Sequence, residues 1–203
     1  SHKSYQTYSI FSWFFKDILK QITFSFVQTS KHKERFRKLG VEESCIQQVG
    51  SVKFDISNLE TNPIEAAPFI LGASTHSGEE DMLLNAYNRL LVKNDIKLFL
   101  CPRHIERAEE IARQASIMGF RVQLYSDFNS ADYDVCIIDR IGLLPSFYAS
   151  SLMSFVGGSL VPRGGHNLIE PASLGSPILT RPHTFNFEDI VQEFLNEDAC
   201  IRV

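Results

Sequence analysis

From residue 68 onward the chain alternates short apolar runs with amphipathic segments, and no other feature restricts its fold as strongly. The apolar runs fall at 69–72, 96–100, 121–125, 134–138, 152–156 and 177–180, all of strand rather than helix length. Between them, 78–93, 104–118 and 187–196 read as helices, with a shorter one at 145–150 and a short strand closing the chain. Strands that are apolar on both faces must be covered on both faces, so the pattern implies a parallel sheet between two layers of helices. The expected class is α/β with a Rossmann-like sheet. Ligands of such sheets bind beyond the carboxyl ends of the strands. Ser74-Thr75-His76, Pro102-Arg103-His104 and Gly157-Gly158 each follow a strand and fall at that edge.

The first 56 residues form a separate block. Ile10, Trp13, Phe14, Ile18 and Leu19 lie close to helical spacing over 9–20. A strand at 24–27, a basic helix at 31–39 capped by Ser30 and ended by Gly40, and a strand at 46–49 follow. Residues 57–67 are polar, contain Pro63 and read as a linker. The expected organisation is therefore a domain remnant at 1–56, a linker at 57–67 and a domain at 68–203.

The stretch from Val156 to Pro171 carries most of the chemistry. Gly157 and Gly158 break an apolar strand, and Gly164 and Gly165 open an apparent helix with His166, Asn167 and Glu170 on its first turn. Backbone N–H groups at a helix start attract anions, and glycines admit a phosphate closely. His166 and Glu170, four apart, are expected to share a face. Phosphate at the N–H groups and ribose hydroxyls at the carboxylate suit a nucleotide.

Composition narrows the alternatives. Hydrophobic content of 44% and charged content of 22% are ordinary for a globular protein, and a net charge of −4 gives no support for nucleic-acid binding. Cys45, Cys101, Cys136 and Cys200 are scattered without metal-ligand spacing, so reduced thiols are expected and a zinc site is not. No apolar run reaches the ~18 residues of a membrane span. No signal peptide is legible, and Ser1-His2 reads as the remnant of a tag. His76/Glu79 and His166/Glu170 lack a third ligand, so no metal is expected. No serine sits in a Gly-x-Ser-x-Gly turn.

The string GGSLVPRGGHNLIEPASLG, followed by Pro182-His183-Thr184-Phe185-Asn186-Phe187, closely resembles the donor-binding region of Kdo transferases. Those enzymes move 3-deoxy-D-manno-octulosonic acid (Kdo) from CMP-Kdo to a lipid A precursor. Gln28-Thr29-Ser30, Gly50-Ser51-Val52-Lys53-Phe54-Asp55, residues 73–80 and Pro102-Arg103-His104 extend the resemblance, in the family's order, from about Ser25 to Cys200. It implies the C-terminal half of a GT-B glycosyltransferase, with residues 1–56 left from the acceptor domain. It also implies inverting transfer at the cytoplasmic face of the bacterial inner membrane, with no cofactor or metal for that step. The general base would lie in the N-terminal domain, outside this chain. The implied partners are CMP-Kdo, the lipid A precursor, the chain's own N-terminal domain and, through the aromatic helix at 9–20, a peripheral membrane contact.

On the residues, the resemblance makes Lys53 a transition-state stabiliser, against its plain reading as a surface lysine. Ser74 and Thr75 read as caps of the 78–93 helix, and with His76 as contacts to a phosphate or sugar carboxylate. Arg103 and His104 read as cations near the nucleotide, and the resemblance places Pro102 and Arg103 where the family contacts CMP, around the cytosine and ribose. Ile141, Gly142 and Leu143 fall where the family usually has a Gly-Glu pair that contacts CMP. Leu143 replaces the Glu, so only backbone contacts are expected there. Gly164, Gly165, His166, Asn167, Leu168, Ile169 and Glu170 complete the expected set, with Leu168 replacing the usual Pro and Asn167 and Glu170 matching the family's Asn-x-x-Glu. Two alternatives stay open on the residues alone: another nucleotide-sugar enzyme, such as a UDP-sugar transferase or epimerase, and a non-catalytic nucleotide-binding module.

Overall fold

A computed structural model describes residues 2–50, 59–90, 95–128 and 132–203. Lys53 lies outside the described residues. The chain divides into two units, Ser1–Asp55 and Ile56–Val203.

In the first unit, helices α1 (His2–Ile10) and α2 (Ser12–Leu19) precede strand β1 (Ser25–Val27), helix α3 (Ser30–Lys38) and strand β2 (Ile46–Gln48). β1 and β2 pair in parallel, as a strand–helix–strand crossover requires. The α3 cap is Thr29, whose hydroxyl accepts the His32 N–H at 3.2 Å, one residue earlier than expected. Ser30 instead donates to Gln48 Oε1 at 2.9 Å. Val27, Val41 and Ile46 form this unit's core. Trp13 and Phe14 on α2 are exposed, at 76% and 55%.

The second unit holds a seven-stranded sheet in the order β5-β6-β4-β3-β7-β8-β9, parallel throughout. Its strands are β3 (Phe69–Thr75), β4 (Lys97–Pro102), β5 (Val122–Leu124), β6 (Val135–Ile137), β7 (Met153–Val156), β8 (Ile178–Thr180) and β9 (Ile201–Arg202). Its helices are α4 (Glu79–Asn88), α5 (Ala108–Ile117), α6 (Leu144–Ser150), α7 (Ile169–Ser173) and α8 (Glu188–Asn196). β4 shows why both faces must be covered. Leu98 and Leu100 join Leu84 and Ile111 in one core cluster, whereas Phe99 and Cys101 join Phe69 and Phe147 in another. The segment after residue 59 packs with this unit: Asn62 and Ile64 donate their N–H groups to Ser146 and Ser150 Oγ.

The chain leaves β3 toward β4 on one side and returns to pair β7 on the other. The strand order therefore reverses at β3/β7, and the crevice beyond their carboxyl ends is the topological switch point. Two helix boundaries differ from expectation. Residues 105–107 form a 3₁₀ turn, so α5 starts at Ala108. The helix after the glycine-rich loop begins only at Ile169, because Gly164 and Gly165 hold left-handed φ values of 98° and 76° that no α-helix uses. His166 and Asn167 precede that helix, and His166 shares no helical face with Glu170.

Candidate functional site

The loops after β3, β4 and β7 meet at the switch point. Gly157 donates its N–H to Ala73 O at 2.8 Å, and Arg103 donates its own to Thr75 O at 2.8 Å, so the three strand ends are tied by backbone. The β3 end is irregular. Its pairing with β4 slips between Ala73 and Thr75, and Ser74 sits in the left-handed region at φ 52°. A non-glycine residue there stores strain, which clusters at functional sites. Thr75 is fully buried, and its hydroxyl has no partner among the described residues. Neither Ser74 nor Thr75 caps α4: that position is Gly78, and His76 O accepts the Glu79 N–H at 2.9 Å.

Three histidines face one another across these loops. His76 and His166 approach Nε2 to Nε2 at 2.9 Å, with rings 12° from parallel, and the His104 ring lies 6.1 Å from that of His76. Burial first, then the charges of Arg163 and His104, hold the His76 imidazole below its ordinary pKa, against the pull of Glu79. Burial, His76 and Arg103 do the same to His166. Among the described residues no group of three or more His, Cys, Asp or Glu is arranged to hold a metal.

The glycine-rich loop departs from the expected phosphate cradle. The N–H groups of Gly158, Ser159 and Leu160 all donate to the buried carboxylate of Glu79, and the Gly165 N–H donates to Gly158 O at 2.8 Å. Glycine at 164 and 165 instead admits the following segment: a Cβ on Gly164 would lie 2.6 Å from the Phe185 ring. Asn186 closes this contact, donating Nδ2 to Arg163 O and its N–H to Gly164 O, both at 3.1 Å. Glu79 and Asn186 are the organising residues that sequence reasoning missed. Two adjacent acids at a helix start look alike in sequence, yet Glu79 binds the loop while Glu80 pairs with Arg107 at 2.9 Å.

Asn167 accepts the Ile169 N–H on Oδ1 at 3.2 Å and starts α7. Glu170 follows in the first turn, half-buried, with its carboxylate accepting no hydrogen bond from any described residue. Burial raises its pKa. Leu168 and Ile169 are core residues, at 1% and 4% exposure, so their side chains do not line the crevice. Pro102 is buried as the last residue of β4, while Arg103 and His104 are exposed.

The family is settled by a solved relative. The second unit resembles the C-terminal CMP-Kdo binding domain of WaaA from Acinetobacter baumannii, with 35% identity, a TM-score of 0.64, and coverage of 68% of this chain and 74% of that one. The chain belongs to the Kdo transferase family. Residues 1–56 match the family model described as 3-deoxy-D-manno-octulosonic-acid transferase (kdotransferase). The 3-deoxy-D-manno-octulosonic acid transferase of Aquifex aeolicus is 31% identical over 91% of this chain, and a bifunctional glycosyltransferase/methyltransferase of Fusobacterium nucleatum is 30% identical over all of it. The chain spans 51% and 34% of those two relatives.

At Leu143 the chain departs from the Glu that the resemblance places there. Leu143 is the N-cap residue of α6 and packs against the core cluster around Phe147, while Ile141 beside it is 82% exposed. Leu143→Glu is therefore expected to cost stability, about 1 kcal/mol for a half-buried apolar side chain, which urea unfolding of the variant checks.

Proposed function

We propose that this chain is the donor-binding half of an inverting glycosyltransferase that takes CMP-Kdo and passes Kdo to a lipid A precursor. The observation that carries the reading is the likeness of its second unit to a CMP-Kdo binding domain, in a fold that brings three strand-end loops, two of them bearing an arginine, to one switch point. Glu170, with an unpartnered carboxylate, accepts the ribose hydroxyls, and Asn167 orients the turn beside it. Arg103 and Arg163 neutralise the phosphate and sugar carboxylate, which favours departure of CMP, and the histidine pair offers hydrogen bonds beside them. His104, Pro102 and the backbone at Ile141, Gly142 and Leu143 frame the nucleoside. By the resemblance alone, Lys53 is the transition-state stabiliser. A carboxylate outside these residues deprotonates the acceptor hydroxyl, which attacks the anomeric carbon with inversion.

In the same reading, residues 1–56 belong to the acceptor-binding domain, 57–67 join it to the donor domain at 68–203, and the enzyme works at the cytoplasmic face of the inner membrane. Among the described residues no helix is long and apolar enough to cross a membrane. Exposed Trp13 and Phe14 on α2 suit a peripheral contact with lipid or with the rest of the N-terminal domain.

The chain is expected to bind CMP with a dissociation constant of about 1 mM or tighter, to prefer it to UDP, and to transfer no sugar alone. Isothermal titration of the folded chain with each nucleotide measures this. No heat with CMP at that concentration, or equal binding of UDP, overturns the reading.

A further inference from the structure

Glu79 lies buried between the loops that leave β3 and β7, and no step of the proposed transfer uses it. Its carboxylate is fully buried and accepts four backbone N–H groups. Oε2 takes those of His76 at 2.9 Å and Gly158 at 2.8 Å. Oε1 takes those of Ser159 at 3.1 Å and Leu160 at 2.9 Å. The donors come from two loops, one leaving β3 and the other β7. Successive backbone N–H groups converging on one point form the concavity in which proteins hold anions, and here the chain's own side chain fills it. Hydrogen bonds to an ionised acceptor are about twice as strong as neutral ones.

The bond to the His76 N–H fixes the residue whose ring reaches across the seam to His166. Two imidazole nitrogens 2.9 Å apart share one proton, so one ring donates and the other accepts, and each is held to a single tautomer. The near-parallel rings leave no freedom for a ring flip without breaking that bond.

We propose that Glu79 is a positioning residue: by tying the β3 and β7 loops together it holds the His76–His166 pair in one tautomeric arrangement, facing the anionic part of the donor. Only the last clause rests on the reading that the ligand is CMP-Kdo. The charged groups facing the pair are Glu79 and Glu80 from α4, Arg103 and His104 from the β4 loop, and Arg163 from the glycine-rich loop. Of these, Glu79 favours protonation of both rings, while the cations oppose it.

Glu79→Gln removes that charge and sets an amide N–H₂ against donors. Glu80→Gln is the matched control, because Glu80 is equally buried in the same turn but its carboxylate accepts from Arg107 instead of from the backbone of the two loops. Imidazole nitrogen-15 NMR on the whole chain is expected to show a ring-to-ring coupling between His76 and His166 in the wild type. It should vanish in Glu79→Gln, with both rings titrating at lower pH, and persist in Glu80→Gln. Titration with CMP should show at least roughly tenfold weaker binding for Glu79→Gln and unchanged binding for Glu80→Gln. A coupling that survives in Glu79→Gln, or wild-type CMP affinity in that variant, overturns the proposal. If Glu79→Gln does not fold, Glu79→Asp carries the comparison. It keeps the charge and falls one methylene short of spanning both loops, so a retained coupling there overturns the proposal equally. The imidazole readout needs no ligand. A chain that loses the coupling as expected yet binds no CMP refutes the donor assignment and leaves the role of Glu79 standing.

Discussion

Gly157→Ala is expected to destabilise the second unit by about 3 kcal/mol, a fall in melting temperature of roughly 10 °C for a chain of this size. The methyl group would lie 2.8 Å from both the Ser74 carbonyl carbon and Thr75 Cα, and closer still to Ser74 O. All three atoms are backbone, so no rotamer change relieves the overlap. The neighbour cannot retreat either: Ser74 is already in the left-handed region, Gly157 is bonded to Ala73 O, and β3 is the middle strand of the sheet. Gly175→Ala is the comparison. It also has a positive φ, 72°, but nothing lies within 4 Å of its new methyl. It should cost only the conformational penalty, about 1 kcal/mol. Thermal unfolding of the two variants checks the difference, and equal melting temperatures would sink the argument from close approach. CMP affinity should fall with Gly157→Ala as well, because the strand ends that separate are the ones that frame the crevice.

The second large effect has opposite signs in stability and binding. Glu170→Gln is expected to weaken CMP binding by roughly 10- to 100-fold, the value of hydrogen bonds to a charged acceptor. The same variant should melt higher than wild type at neutral pH. Burial raises the Glu170 pKa in the folded chain above its ordinary 4.5, with no donor nearby to compensate. The folded state therefore holds its proton more tightly than the unfolded chain does. The stabilisation that this protonated form provides is complete below pH 4.5 and is lost as pH rises through the folded pKa. Glutamine cannot ionise, so the variant escapes that loss, and its advantage should shrink toward pH 4. Melting curves between pH 4 and 8, paired with CMP titrations, test both signs. A variant that is both less stable at neutral pH and unimpaired in CMP binding removes Glu170 from the site.

Much of the fold was legible because the apolar runs are short and bounded. The run at 69–72 falls inside β3, the one at 96–100 overlaps β4 from Lys97 onward, and the one at 152–156 contains β7. Pairing order is a different matter, since parallel strands are joined through helices and the sequence does not say which neighbours meet. The rule for strand ends puts Ser74-Thr75-His76, Arg103 and the glycine-rich loop at one edge, and in the structure these loops meet there. The duties within that edge were harder to read. The loop N–H groups read as a phosphate cradle in the sequence, yet Glu79 occupies them, because a buried carboxylate and a bound phosphate make the same demand on a backbone. Leu168 and Ile169 were grouped with the contact residues by their place in a motif, whereas their apolar side chains follow the ordinary preference for the core.

The pairing of β3 with β7 has a kinetic meaning. Ile70 finds Met153 only after the excursion through β4, β5 and β6 has been made, so this seam closes a long loop and belongs to the slow part of assembly. The crevice lies on that seam and is absent from any partly folded form that lacks it. A ligand gripped there engages both sides of the last-joined contact at once. Its arrival then acts as a latch on the finished sheet, slowing the escape of β7 more than it speeds the folding that precedes it.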